Sequence, residues 1–440
     1  MKSYIKKNKN TTYFLVLLSA LLSICSYLFS LQGYGVARYF AIFFVFLTLL
    51  LDIDHILYFI VFCFPFSGML KISANSITIL PIIYLIVIFK ILKKSDIKFG
   101  YMHLIFPILL TFFQLLTVII YDSSLADIIS FLLNVIFVLC SAIYLQSRKF
   151  AENLFLINLV WFFAIGLSLS IVLCEIYPQI AYMLNSTIYM EMTLQGRFAA
   201  MVGDANEYSQ IVLVSIGCLI YSLQFLNTTF QKGISIILIV YLSIKGISSN
   251  SKSYVLTLFI MLALVILFYL TSVLKNKGVY SFIVQVIPIM IVGIIGLLYV
   301  YNDMILPVLE VRAEENTGFF TGRDRIWSEY SKALSQRLDV LFIGDGAGNV
   351  TFLNNYNSLD HEVPHNTYLE YLIQFGILGL ISLIGTFNKV FKQLFENKTI
   401  YAFLPLGAFL ITAFAISANA SDCLFIVLLF IAVPIHKLKT

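Results

Sequence analysis

Long apolar runs separated by short polar interruptions set the pattern of this chain from end to end. Crossing a bilayer takes roughly 17–25 apolar residues in a helix, and runs of that kind recur here without the strict alternation of half-buried strands. The pattern predicts fourteen spans, near 12–30, 38–51, 56–70, 77–92, 101–120, 127–146, 154–174, 209–226, 234–248, 254–274, 279–300, 366–387, 400–418 and 421–436. The pair around LDIDH (51–55) reads as two helices or as one broken helix. A span must satisfy its own backbone hydrogen bonds in lipid, so helices are expected in place of a barrel. The fold class is all-α: a polytopic membrane helical bundle of about fourteen transmembrane helices with a large folded outer loop.

Residues 1–440 read as a single integral membrane domain, without tandem repeats, low-complexity tracts or a soluble domain. Two polar intervals are long enough to have architecture. The first outer loop, 175–209, contains LQGRFAAMVGDANEY, and the second, 301–365, passes through FIGDGAGNV. Loops beyond roughly 12–15 residues are usually functional or disordered. In the second, Phe319, Phe320, Ile326, Trp327, Leu341 and Phe342 fall at spacings suited to short amphipathic helices, so a folded loop is expected. SEYSKALSQRL (328–338) reads as one such helix, ending before the GDGAG turn.

Composition sharpens this class. With 440 residues, 60% hydrophobic and only 12% charged, and a mean hydropathy of +0.94, the chain cannot cover a water-soluble globule. The net charge of +5 does not point to nucleic acid, because the basic residues lie mostly in short segments beside the membrane. With both termini placed inside, 18 of the 28 Lys and Arg residues fall on the inner side, as the positive-inside bias requires. The six cysteines are scattered singly through apolar segments, which indicates neither a disulfide framework nor a zinc site. The apolar run after MKSYIKKNKN is long for a signal peptide and reads as an uncleaved first span.

Polar chemistry gathers in the outer loops. Arg197, in QGRF, offers a rigid fork of donors suited to phosphate oxygens; the alternative is an interfacial arginine that snorkels. The GDAN that follows looks like a turn opening a helix, with Asp204 or Asn206 at the cap. Lys252, in ISSNSKSYV, is an isolated cation among hydroxyl residues, either a substrate contact or an interfacial anchor. Arg323 and Arg325 flank Asp324 in TGRDRIW, and Trp327 would bury that segment against the membrane face. One arginine could grip an anionic leaving group, or the group is an ordinary surface pair.

His365 precedes Asn366 at the head of TYLEYLIQFGILGL. A helix N-terminus disfavours imidazolium, which keeps the ring neutral and able to accept a proton. Glu370, about one turn further in, is a partner or second base, and Gly376 and Gly379 would permit close helix packing. His361 is a weaker candidate, while His55, His103, Asp52 and Asp54 fall near the inner boundary and read as interfacial. No P-loop, HExxH or DxD motif occurs, so neither a nucleotide, another cofactor nor a metal is indicated.

The segments RF…GDAN (197–206), SNSKS (249–253), TGRDRIW (321–327), GDGAGN (344–349) and HNTYLEYLIQFGILGL (365–380) together resemble the O-antigen polymerase/O-antigen ligase superfamily. These are bacterial polytopic membrane enzymes acting on undecaprenyl-diphosphate-linked glycans. The resemblance covers roughly the C-terminal 250 residues, and its most specific element begins at His365. It implies that Arg197 and Arg323 hold the lipid diphosphate and that His365 activates the acceptor hydroxyl. Lys252, Arg325, Asn206, Asn366, Glu370 and Trp327 are then expected around the substrate. Two positions depart from the family pattern: Ala205 stands where proline is common, and Lys252 where arginine is common.

The resulting expectation is a metal-independent polysaccharide polymerase in the bacterial inner membrane, with both termini cytoplasmic and its site on the periplasmic face. Its partners would be a lipid-linked glycan donor and acceptor, the bilayer, and a chain-length-regulating protein. The ligase that transfers glycan to lipid A–core is the sibling reading. A lipid-linked oligosaccharide flippase is the alternative from another class, but internal symmetry and midplane charges are missing from the sequence.

Overall fold

The computed structural model describes residues 45–69, 79–94, 101–147, 153–179, 197–202, 204–270, 323–348, 364–396, 400–416 and 422–433. Their regular structure is helical throughout, as the apolar pattern predicts. The expected spans near 12–30 and 279–300, half of 38–51, most of both long outer loops, and with them Phe319, Phe320 and His361, lie outside the described residues.

After a short helical piece at 45–50 come α1 (Ile53–Cys63), α2 (Leu80–Leu92), α3 (Met102–Tyr121), α4 (Leu125–Gln146) and α5 (Asn153–Ile176). The middle of the chain supplies α6 (Ala205–Ser222), α7 (Thr229–Ile247) and α8 (Lys252–Leu270). The last group is α9 (Arg323–Gln336), α10 (Leu338–Ile343), α11 (Thr367–Thr386), α12 (Asn388–Glu396), α13 (Phe403–Thr412) and α14 (Asp422–Ala432). Among the described residues, seven helices are long and apolar enough to cross a membrane: α3 to α8 and α11. α1, α2, α13 and α14 are shorter apolar helices. At LDIDH the chain breaks: Asp52 is extended (φ −70°, ψ 156°), and Lys90 Nζ donates to the Thr48 and Leu51 carbonyls left at the end of the preceding helical piece.

Local chemistry fixes the helix starts. Ser124, Asp204, Thr228 and Asn366 each accept a backbone N–H at the head of α4, α6, α7 and α11. Burial then sorts the helices. α6 is buried almost all round, so it forms the centre of the bundle, whereas α3, α7 and α8 turn most of their surface outwards. The principal pairings are α3 with α11, α6 with α13, α1 with α5 and α2 with α4. α9 and α10 form a smaller layer, burying Ile326, Tyr330, Ala333, Leu334 and Val340 against Ile373 of α11.

α6 and α13 run antiparallel. Gly217 lies against Pro405, so closely that a Cβ there would sit 2.9 Å from the proline nitrogen. Further along, Gln210 Nε2 donates to Thr412 Oγ1 at 2.9 Å. Because the pair is antiparallel, the Ala413–Ala415 turn and Ile416 that follow α13 lie at the end where α6 begins. This pairing positions the site.

Candidate functional site

Helical periodicity decides which side chains of TGRDRIW face inwards. Arg323, Ile326, Trp327, Tyr330, Ala333 and Leu334 recur at three- and four-residue intervals, so they share one face of α9. Arg323 Nη1 donates to the Ala415 carbonyl at 2.8 Å. One turn later Trp327 Nε1 donates to the Pro364 carbonyl at 3.0 Å. Arg325 projects from the other side, with its side chain 85% exposed, and pairs with Glu329 at 3.1 Å. The structure therefore separates the two arginines that the sequence placed together.

α11 begins at the same place. Asn366 is its cap, its Oδ1 accepting from the backbone N–H of Tyr368 and Leu369 at 3.0 and 3.2 Å. Thr367 Oγ1 donates to the Ile416 carbonyl at 2.7 Å. His365, immediately before the cap, has φ +47°, a left-handed conformation uncommon for a residue with a side chain. It is held there between the Trp327 bond to Pro364 and the Asn366 cap. Such outliers recur at functional sites. Glu370 is buried one turn in, its Oε1 accepting from Gln374 Nε2 at 3.1 Å. Burial, together with the nearby Glu370 carboxylate, pushes the Tyr330 hydroxyl up to about 12.

A second group forms around Arg197. Its Nε donates to the Ser249 carbonyl at 3.2 Å and its Nη2 to Asn206 Oδ1 at 2.9 Å. Ser251 Oγ donates to the same Asn206 oxygen at 3.1 Å, and Phe198 N–H to the Ser248 carbonyl at 3.0 Å. Lys252 follows Ser251 as the first residue of α8. The capping role falls to Asp204 alone, which accepts from the N–H of Asn206 and Glu207 at 2.7 and 3.0 Å. Asn206, expected at the substrate, here orients a guanidinium.

The 415–416 carbonyls that anchor Arg323 and Thr367 follow the last turn of α13, and Asn206, which anchors Arg197, opens α6 at the same end of the antiparallel pair. Two guanidiniums and an imidazole thus occupy the same end of the α6–α13 pair. Cations fixed in a poorly hydrated setting stabilise developing negative charge far better than cations in water. Among the described residues, no three His, Cys, Asp or Glu side chains gather as a metal ion would need.

Sequence reasoning passed over a further feature beside this end. α11 is kinked at Gly376 (φ +60°, ψ −179°), where close packing of a continuous helix was expected. The Gly344–Gly348 turn fills the kink, with Asp345 N–H donating to the Ile373 carbonyl at 2.7 Å and Gly346 N–H to the Gln374 carbonyl at 3.1 Å. Asp345 is buried, and burial pushes its carboxyl up to about 7; the Arg337 guanidinium opposes that shift and the Asp339 carboxylate adds to it. The available signals were Gln114 and Gln374, lone amides inside apolar runs.

Residues 236–384 match the family model described as O-antigen ligase. The match bears out the resemblance to the O-antigen polymerase/ligase superfamily, and it includes Lys252, Arg323, Arg325, Trp327, His365, Asn366 and Glu370. Arg197 and Asn206 precede it. No curated protein matches the chain. The O-antigen ligase match, on helices apolar enough to cross a bilayer, supports a membrane enzyme of O-antigen polymerase or ligase type, working on lipid-linked glycans.

Proposed function

We propose that the protein is a polysaccharide polymerase that joins undecaprenyl-diphosphate-linked repeat units on the outer face of the bacterial inner membrane. Arg197 and Arg323 hold the diphosphate of the donor. The acceptor hydroxyl attacks the anomeric carbon, and the bond from that carbon to the diphosphate oxygen breaks. The leaving diphosphate takes the electron pair, stabilised by the guanidiniums. The hydroxyl proton passes to His365, just ahead of the first turn of α11. Trp327 and Asn366 orient His365, Glu370 stands behind it, and Lys252 lies on the donor side. Arg325, on the exposed face of α9, is left to the rim of the substrate path. A chain-length-regulating protein would act from outside this site.

The observation that carries this reading is that Arg323 and Thr367, the latter two residues from His365, bond adjacent carbonyls at the end of the α6–α13 pair where Asn206 anchors Arg197. The match to an O-antigen ligase family supports a second reading, in which the acceptor is lipid A–core and the reaction is a ligation. Purified protein given a defined lipid-linked repeat, with and without chelator, decides between them. A ladder of lengthening glycans from the repeat alone, unaffected by chelator, is expected. Product formed only when lipid A–core is added would make it a ligase, and chelator sensitivity would remove the metal-free assignment.

A further inference from the structure

A helix that breaks inside a bilayer leaves carbonyls without donors, and each such group is costly unless something fills the gap. In α11 the break at Gly376 leaves the carbonyls of Ile373 and Gln374, and the N–H groups of Asp345 and Gly346 take them. Gly376 has φ +60°, and a Cβ there would stand 2.5 Å from the Gly344 nitrogen. Gly346 has φ +98°, and a Cβ there would lie 2.7 Å from both Ser123 Oγ and Thr117 Oγ1. Kink and turn therefore fit each other and tolerate no side chain between them.

Two glutamines complete the fit. Gln114 of α3 accepts from Ala347 N–H through Oε1 at 2.8 Å and donates from Nε2 to the Gln374 carbonyl at 3.2 Å. Gln374 accepts from Gly348 N–H through Oε1 at 3.4 Å while its Nε2 holds Glu370. Ser123 Oγ adds a bond to the Asp345 carbonyl at 2.7 Å. The turn is the direct continuation of α9 and α10, the elements that carry Arg323 and Trp327. The kink lies in the helix that carries His365 at its head.

We propose that Gln114 and Gln374 are positioning residues: by seating the Gly344–Gly348 turn in the α11 kink, they hold α9 in register with the head of α11, and so Arg323 in register with His365. The inference rests on the glycosyl-transfer reading above. It assigns the GDGAG segment a role in alignment, acting from behind the site and touching no substrate.

The chain contains two tryptophans, Trp161 and Trp327, so a Trp161→Phe background leaves Trp327 as a reporter of how α9 sits on Pro364. In that background, as full-length protein in lipid nanodiscs, Gln114→Met removes both amide bonds at nearly constant volume. Misplacing reacting groups by about 1 Å costs on the order of 10²-fold, so kcat on a lipid-linked repeat should fall by about that factor while the donor KM holds. Iodide quenching of Trp327 should rise in parallel. Gln114→Glu, neutral in this buried setting, keeps an acceptor for Ala347 and should recover much of kcat. If Gln114→Met does not fold, Gln114→Asn, one methylene short, takes its place with a smaller expected loss. Wild-type kcat in Gln114→Met or Gln114→Asn, or a lowered kcat with unchanged Trp327 quenching, overturns the proposal. If the unmutated protein elongates no lipid-linked repeat, the reaction assignment fails separately, and an unchanged Trp327 signal in Gln114→Met then overturns the seating itself.

Discussion

Arg323 and Thr367 donate to consecutive carbonyls, Ala415 at 2.8 Å and Ile416 at 2.7 Å. One side chain comes from the helix of the large outer loop and the other from the head of α11, so a two-residue strip after α13 fixes their spacing. Since α13 is itself clasped antiparallel to α6, the strip lies at the same end of that pair as Arg197. That relationship makes the arginines and His365 testable as one unit.

Arg323→Ala and His365→Ala should each abolish long glycan chains while single-repeat product and protein level persist. Losing one preorganised electrostatic contact typically costs about 10²–10³-fold in kcat. Arg323→Lys should fail nearly as badly, because an ammonium cannot bond Ala415 and present a planar fork to a diphosphate together. Chain-length ladders from membranes of each strain check this, and ladders like those of the wild type from both alanine variants would remove the assignment.

Asn206 should behave as the support of a cation. Its Oδ1 accepts from both Arg197 Nη2 and Ser251 Oγ. Asn206→Ala frees Arg197 to turn away, so the donor KM should rise about tenfold, the loss expected for roughly one charge-assisted hydrogen bond. kcat should fall with it, because the same guanidinium stabilises the leaving diphosphate. Steady-state kinetics on a lipid-linked repeat separates the two, and a pure kcat effect would place Asn206 elsewhere in the reaction.

Gly376→Ala should destabilise the fold. Its φ of +60° and ψ of −179° belong to a region essentially reserved for glycine, where another residue costs about 1–3 kcal/mol, before any clash with Gly344. Thermal unfolding in detergent should show a clear drop in Tm. Gly407, around which a Cβ would meet nothing within 4 Å, is the control, and equal effects of the two alanine substitutions would contradict the kink.

Asp345 should make stability depend on pH. Its carboxyl titrates at about 7 in the folded protein against an ordinary value of 3.8, so the folded state keeps the proton where the unfolded chain has lost it. That contribution is complete below about pH 4 and is lost as pH rises towards 7. Tm of the wild type should therefore decline between pH 5 and 7.5 relative to Asp345→Asn, which carries no titrating group there. Parallel Tm curves for the two proteins would rule out a protonated Asp345.

The apolar pattern by itself determined the helical class and the position of almost every described span, because the length and periodicity of a bilayer helix are local properties of sequence. It also singled out Arg197, Arg323 and His365, since charge in so apolar a chain is conspicuous wherever it occurs. Tertiary structure alone decided that Arg323 turns inwards while Arg325 faces out, that Asn206 serves Arg197 and Asp204 the helix cap, and that α11 breaks to receive a glycine turn. Each of those outcomes depends on partners far away in the chain: Gln114 reaches the Gln374 carbonyl across 260 residues. No local pattern can name such a partner, because the bond exists only once separately formed helices have packed and a buried polar group must take whichever donor or acceptor the packing brings within reach.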